Sequence, residues 1–352
     1  MSVLQEFFKT EGFITHGDSA YPARFYSDAA TEYDILMHGV GIRDLSDHAL
    51  LKVTGKDAQD FLHRISTNDL RSLEQGVATN TIFCNEKGRI IDRVNVVKTE
   101  EAIWLFGNRN HDERLKRWLH KYIIMDDVTV QEEKNLTVIQ ITGPQSESFM
   151  TYKFGEGILS LSEDTFGEFE WEGKFFLIIK FDLPDFGAFY KITGQADSLK
   201  KFILDSMQNK FIYQVGLTGE DAYERLRIER GVMSREELND NFNPHEAGLI
   251  KEVSFTKGCY IGQEVIARLD TYDKVQRSVR KVSVDGNLNG SVPVQITDEN
   301  GDDAGTITSG YFVESEGKTL GIAYIRKRYL DSVEKLFIRT GGIEMPVRFR
   351  NY

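Results

Sequence analysis

The chain is poor in cysteine: Cys84 and Cys259 are its only two among 352 residues, and they stand far apart. That excludes a disulfide-rich secreted scaffold and any four-cysteine zinc or iron–sulfur site built from this chain alone. A reducing compartment fits such usage. Positive charge is also short, and a formal charge of -12 argues against a nucleic-acid binder held by phosphate neutralisation. No apolar run approaches the roughly 18 residues of a membrane span. The N-terminal MSVLQEFFKTEGF has an acid at Glu6 and no continuous apolar core, so it reads as neither signal peptide nor anchor. A cytoplasmic protein without a membrane partner is expected. Low-complexity sequence is absent too, and hydrophobic residues at 40% with aromatics at 11% supply two or three domains with cores of their own.

What is present repeats. Leu51-Lys52-Val53-Thr54-Gly55 alternates as a strand, and Ala58, Phe61, Leu62 and Ile65 follow at helical spacing. About 88 residues on, the pattern V-T-G-x-x-A-x-x-F returns as I-T-G-x-x-S-x-x-F, with Thr142-Gly143, Ser146 and Phe149 at matching offsets. Each copy continues into a hairpin, turning at Asn85-Glu86-Lys87-Gly88 and at Glu172-Gly173, then a third strand and an amphipathic helix. The helices are expected over Asp112 to Ile124 and Ser198 to Gln208. Two copies of an α+β module follow, each with antiparallel strands covered on one face by helices. From Val279 onward short β-rich runs recur between turns at Asp285-Gly286, Asn300-Gly301, Gly317 and Gly341-Gly342, which predicts a small β-barrel. The expected division is a first module over 49–134, a second from 1–48 and 135–250, a signature segment and linker over 251–274, and the barrel over 275–352.

The stretch densest in chemistry is Lys257-Gly258-Cys259-Tyr260-Ile261-Gly262-Gln263-Glu264, with Val265, Ile266, Ala267 and Leu269 behind it. The apolar run predicts a helix start, which would set Cys259 just ahead of a helix N-terminus and two residues from a lysine. Both features favour thiolate over thiol. The glycines permit close backbone approach or positive φ, while Gln263 and Glu264 add an amide and an acceptor. A small buried hydrophobe beside ordinary turn chemistry is the competing account. Elsewhere, His245 and Glu246 are adjacent, which is not ligand spacing for a metal, and they read as loop anchors; no metal site is expected.

The run K-G-C-Y-I-G-Q-E resembles the signature of the YgfZ family of folate-binding proteins, within the superfamily of the glycine-cleavage T-protein, an aminomethyltransferase. Asp44-Leu45-Ser46, Leu226-Arg227-Ile228-Glu229-Arg230-Gly231 and the hairpin turn Asn85 to Arg93 also resemble stretches of that superfamily. The resemblance implies a three-domain T-protein-like cloverleaf with tetrahydrofolate, or a one-carbon derivative, in a central channel. It implies an accessory role in assembly or repair of iron–sulfur clusters in client enzymes, those enzymes being the partners beside folate. It assigns Cys259 as the reactive thiol, Asp92 as the acid that organises the one-carbon donor, and Arg227, Lys257, Tyr260, Gln263 and Glu264 as folate-binding residues. The alternative it leaves open is a folate-dependent aminomethyltransferase. Here the sequence departs from the T-protein pattern, because Arg93 stands where a second acid belongs and arginine cannot accept a proton. Without the resemblance, Asp92 reads as a strand residue paired across to an arginine, and Arg227 as a complement to a helix C-terminus.

Overall fold

The computed structural model describes residues 3–13, 23–162, 165–183, 186–272, 274–288, 290–331 and 335–350. After helices α1 (Val3–Thr10) and α2 (Ala29–His38) and strand β1 (Val40–Asp44), the chain builds β2 (His48–Thr54), α3 (Ala58–Ile65), β3 (Ala78–Cys84), β4 (Ile90–Lys98), β5 (Ile103–Arg109), α4 (Asp112–Tyr122) and β6 (Thr129–Glu132). It then builds β7 (Leu136–Thr142), α5 (Ser146–Phe154), β8 (Thr165–Trp171), β9 (Lys174–Leu183), β10 (Gly187–Gln195), α6 (Ala196–Gln208), β11 (Val215–Leu217) and α7 (Glu220–Arg230).

Strand order makes the duplication explicit. One sheet runs β3-β4-β5-β2-β6 and the other β11-β1-β7-β10-β9-β8, so β2-β5-β4-β3 has its counterpart in β7-β10-β9-β8. The place of β6 beside β2 is taken in the second sheet by β1 beside β7, antiparallel in both. The repeated Thr-Gly step explains why each copy turns from strand to helix at the same point. Gly55 has φ +110° and Gly143 φ +137°; a Cβ there would lie 2.0 Å from the Asp127 carbonyl oxygen and 2.3 Å from that of Gly39. No other residue tolerates both the dihedral and the approach. The amphipathic stripes bury as expected: Leu115, Trp118 and Leu119 on α4; Leu199, Phe202 and Ile203 on α6. Two differences from expectation emerge. β1 and β11 pair in parallel, so the second sheet is mixed. The sheet faces away from the helices are not solvated: Leu50, Val97 and Phe106 of one sheet form a single core with Val138, Phe166, Ile179 and Phe181 of the other.

A last helix, α8 (Gln263–Thr271), precedes β12 (Arg277–Val284), β13 (Val294–Thr297), β14 (Asp303–Val313), β15 (Lys318–Arg326), β16 (Leu336–Thr340) and β17 (Ile343–Phe349). These close into a barrel in the order β12-β15-β14-β13-β16-β17, filled by Val282, Ile296, Ile307, Ala323, Ile325 and Ile338. Closure removes the unpaired edges that short strands would otherwise expose. The chain divides into two compact units, Met1–Phe61, Leu70–Asn80 and Val94–Leu226 in one, Leu62–Asp69, Thr81–Arg93 and Arg227–Tyr352 in the other. The segment 251–274 thus lies inside the second unit, as does the tip of the β3–β4 hairpin. Among the described residues no helix is long and apolar enough to cross a membrane.

Candidate functional site

The octapeptide is seated on the hairpin tip. Gly262 caps α8 with φ +83°, and a Cβ at that position would meet the Asn85 carbonyl oxygen at 2.6 Å and the Gly88 Cα at 3.0 Å. Gly88 itself has φ +66° and packs against Val265 and Ile266. Two glycines, one from each motif, therefore let two backbones touch where side chains would hold them apart. Asn85 closes the turn, its Oδ1 accepting from the amides of Lys87 and Arg89. The motifs that the sequence shows 174 positions apart, Gly88 and Gly262, are thus one structural element.

Within that element the two thiols have opposite environments. Cys84 is fully buried, and burial pushes its thiol pKa up. Cys259 is exposed. It precedes both the left-handed Gly262 cap and Gln263, the first residue of α8. Tyr260 is buried with its hydroxyl unpartnered; burial, then nearby Cys84, raises its pKa. Gln263 and Glu264 form the first turn of α8, and neither side chain makes a hydrogen bond among the described residues.

Lys257 is engaged by backbone carbonyls of its own unit. Its ammonium donates to the carbonyl oxygens of Ser66 and Asn68, both at 2.7 Å, and of His63. It also lies 5.3 Å from the Tyr260 ring centroid. These three acceptors use the three N–H donors an ammonium has. Arg227 is likewise committed: it donates to Glu237 Oε2 at 3.3 Å, the Val232 carbonyl at 3.2 Å and Ser309 Oγ at 2.8 Å, all inside the second unit. Asp92 is fully buried and its Oδ1 accepts from the Arg93 amide at 2.9 Å. The Arg93 guanidinium is held by Glu252, with contacts of 2.6 to 3.0 Å. His245 and Glu246 do anchor loops: His245 Nε2 pairs with the Ile266 carbonyl, and Glu246 joins Arg89 and Arg277. The partners Glu237 and Glu252, and the two arginines held by Glu246, escaped the sequence reading. The signal available was their number, since acids in a loop-rich stretch with several arginines must find counter-charges when buried.

The first unit carries a second polar cluster, around the Asp44-Leu45-Ser46 segment. Arg43 pairs with both oxygens of Glu220 at 2.8 and 2.9 Å, and Arg109 reaches Asp47 and Glu220. Asp47 Oδ1, His48 Nε2 and one Arg109 nitrogen are buried without partners. Such atoms are costly unless water or a ligand meets them. Burial, then the cations Arg43, Lys191 and Arg109, drives the His48 pKa well below 6.5. The folded imidazole stays neutral while the unfolded one binds a proton, so below about pH 6.5 stability falls as pH falls, by up to about 1.4 kcal/mol per unit. Urea unfolding at pH 7.5 and 5.5 should show wild type losing about 1.4 kcal/mol more than His48→Met. Equal losses would mean that His48 is solvated.

This fold is that of the T-protein. A crystal structure of the glycine cleavage system aminomethyltransferase T from Bartonella henselae superposes with a TM-score of 0.82 over 99% of this chain and 96% of that one, at 17% identity. Residues 9–174 match the GCVT N-terminal domain. An Arabidopsis thaliana chloroplastic protein, named only provisionally as a transferase, is 28% identical over 300 residues, 84% of this chain and 67% of its own length. An aminomethyltransferase of Chloroherpeton thalassium is 24% identical over 322 residues, 90% of this chain and 88% of its own; one of Leptospira biflexa is 24% identical over 324, 90% and 86%. What these similarities show is the T-protein's fold.

Proposed function

We propose that this protein is a tetrahydrofolate-binding accessory factor for iron–sulfur enzymes, of the YgfZ type, in which Cys259 performs transient sulfur, iron or one-carbon chemistry beside the folate. The observation that carries this reading is the octapeptide locked onto the hairpin tip with its one thiol exposed, while the other thiol of the chain is sealed in the core. A thiolate is nucleophile and metal ligand only where solvent and partners reach it. Folate is supported by the T-protein fold and by unmatched polar atoms that a pterin or glutamate would satisfy. The Tyr260 hydroxyl of the second unit is one. Gln263 and Glu264 have side chains left to give. Arg227 and Lys257 have theirs engaged by protein groups, which makes them positioning residues in this reading.

The names of the relatives favour a second reading, a folate-dependent aminomethyltransferase with Asp92 organising the donor. Against it stands Arg93, which replaces the second acid with a cation already held by Glu252. In cells lacking the protein, Cys259→Ala is expected to abolish rescue of a client iron–sulfur enzyme while its thermal unfolding matches wild type, because an exposed side chain contributes little to the core. Full rescue by that variant would end the accessory reading. Incubation with aminomethylated lipoyl protein and tetrahydrofolate tests the alternative: methylenetetrahydrofolate and ammonia would establish it.

A further inference from the structure

Away from both polar clusters, the first unit contains a cavity of about 820 Å³ where the two sheets part, at the end where β10 runs into α6. Small-molecule sites typically span about 300–1,000 Å³ and are apolar with a few polar groups. The floor here is apolar, formed by Trp104, Phe106, Leu136, Phe166 and Leu177. Into it faces Thr193, only 4% exposed, whose hydroxyl has no hydrogen-bond partner. Thr193 sits directly opposite Leu177 on β9, and Leu177 opposite Glu168 on β8, so hydroxyl, methyl groups and carboxylate form one row across the sheet. A buried hydroxyl left unpaired is destabilising by about 1–3 kcal/mol, and nothing in the packing of this row requires a polar atom there.

The sign of the site comes from its mouth. Glu100, Glu101 and Glu168 line it, all exposed and none in an ion pair among the described residues, against the single ammonium of Lys174. The N-terminus of α6 opens on the same space through Gln195 and Ser198, but three carboxylates outweigh it. We infer that this cavity is a ligand site for a small amphipathic amine: an aromatic or branched apolar body between the sheets, with the Thr193 hydroxyl as a hydrogen-bond partner and the ammonium among the glutamates. It does not depend on the folate reading.

Calorimetric titration of the full chain with tryptamine tests this, with indole-3-propionate as the probe of the same ring and opposite charge. Tryptamine should bind saturably with one-to-one stoichiometry, and indole-3-propionate at least about tenfold more weakly. Thr193→Val should weaken tryptamine binding while raising the melting temperature, a combination that a purely structural threonine would not give. Leu177→Trp, which fills the space, should abolish binding. Should that variant not fold, amide and indole shifts confined to Trp104 and residues 193–198 of wild type on adding tryptamine answer the same question. No saturable binding at millimolar tryptamine, shifts elsewhere, undiminished binding by Leu177→Trp, or equal binding of the propionate would each overturn the proposal.

Discussion

Glu237→Ala should cost about 3–5 kcal/mol, because it strips the carboxylate from a buried cation and leaves that cation in place. Glu237 is fully buried and Arg227 is 3% exposed. The carboxylate also accepts from Thr308 Oγ1 at 2.5 Å, Ser309 Oγ at 2.7 Å, and the Ser234 amide and hydroxyl at 2.9 and 3.2 Å, so five donors lose their acceptor together. Domains are marginally stable, by about 5–15 kcal/mol, and the loss would consume much of that in the second unit. Urea unfolding of Glu237→Ala, Arg227→Met and the double variant gives the coupling directly. The double variant should be less destabilised than the sum of the singles by more than about 1 kcal/mol, since groups in one network are not additive. Additive costs would show that Arg227 and Glu237 do not depend on each other. The result bears on function as well. A loss of folate binding in an Arg227 variant is ambiguous while the arginine also secures the barrel strand carrying Ser309, so Gln263→Ala is the cleaner probe of the cofactor.

Much of this architecture was legible because it depends on short-range chemistry. The Thr-Gly steps at 54–55 and 142–143 announce their strand-to-helix turns, since only glycine serves at φ near +110° and +137° against a carbonyl. Helical stripes on α4 and α6 and the regular turns of the barrel are likewise local patterns, and the structure follows them. The roles of single charged residues were not legible, and the reason is distance along the chain. Lys257 reads as a neighbour of Cys259, yet its acceptors are carbonyls at 63, 66 and 68. Arg93 reads as a lost acid in a hairpin, yet it is half of an ion pair with Glu252. A carbonyl leaves no mark in sequence, and an acid far along the chain is one of many. The face-to-face packing of the sheets was hidden for a similar reason: strands buried on both faces and strands solvated on one differ only in residues such as Phe106 and Phe166, which alternation alone does not distinguish.

Lys257→Met is the second substitution expected to act strongly, at about 3 kcal/mol, and it separates two meanings of that lysine. Methionine keeps the apolar stem and the packing on Tyr260 but has nothing to offer the carbonyls of His63, Ser66 and Asn68. Hydrogen bonds to a charged donor are each worth about 1.5–3 kcal/mol, and the relief of uncharging a buried ammonium offsets part of the total. The same two segments are stitched elsewhere, by the Ser254 amide to the Thr67 carbonyl and the Thr67 hydroxyl to the Glu252 carbonyl, both near 2.9 Å. The segment should therefore loosen before the unit unfolds. Hydrogen exchange ought to quicken at residues 63–68 and 254–260 while the barrel strands keep their protection. Lys257→Arg should rescue little, because a planar fork cannot meet three carbonyls gathered around a point charge. If Lys257→Met instead leaves stability within about 0.5 kcal/mol of wild type, the carbonyl cage is not what the lysine is for. The rate at which Cys259, two residues on, is alkylated in Lys257→Met would then show whether the charge acts on the thiol instead.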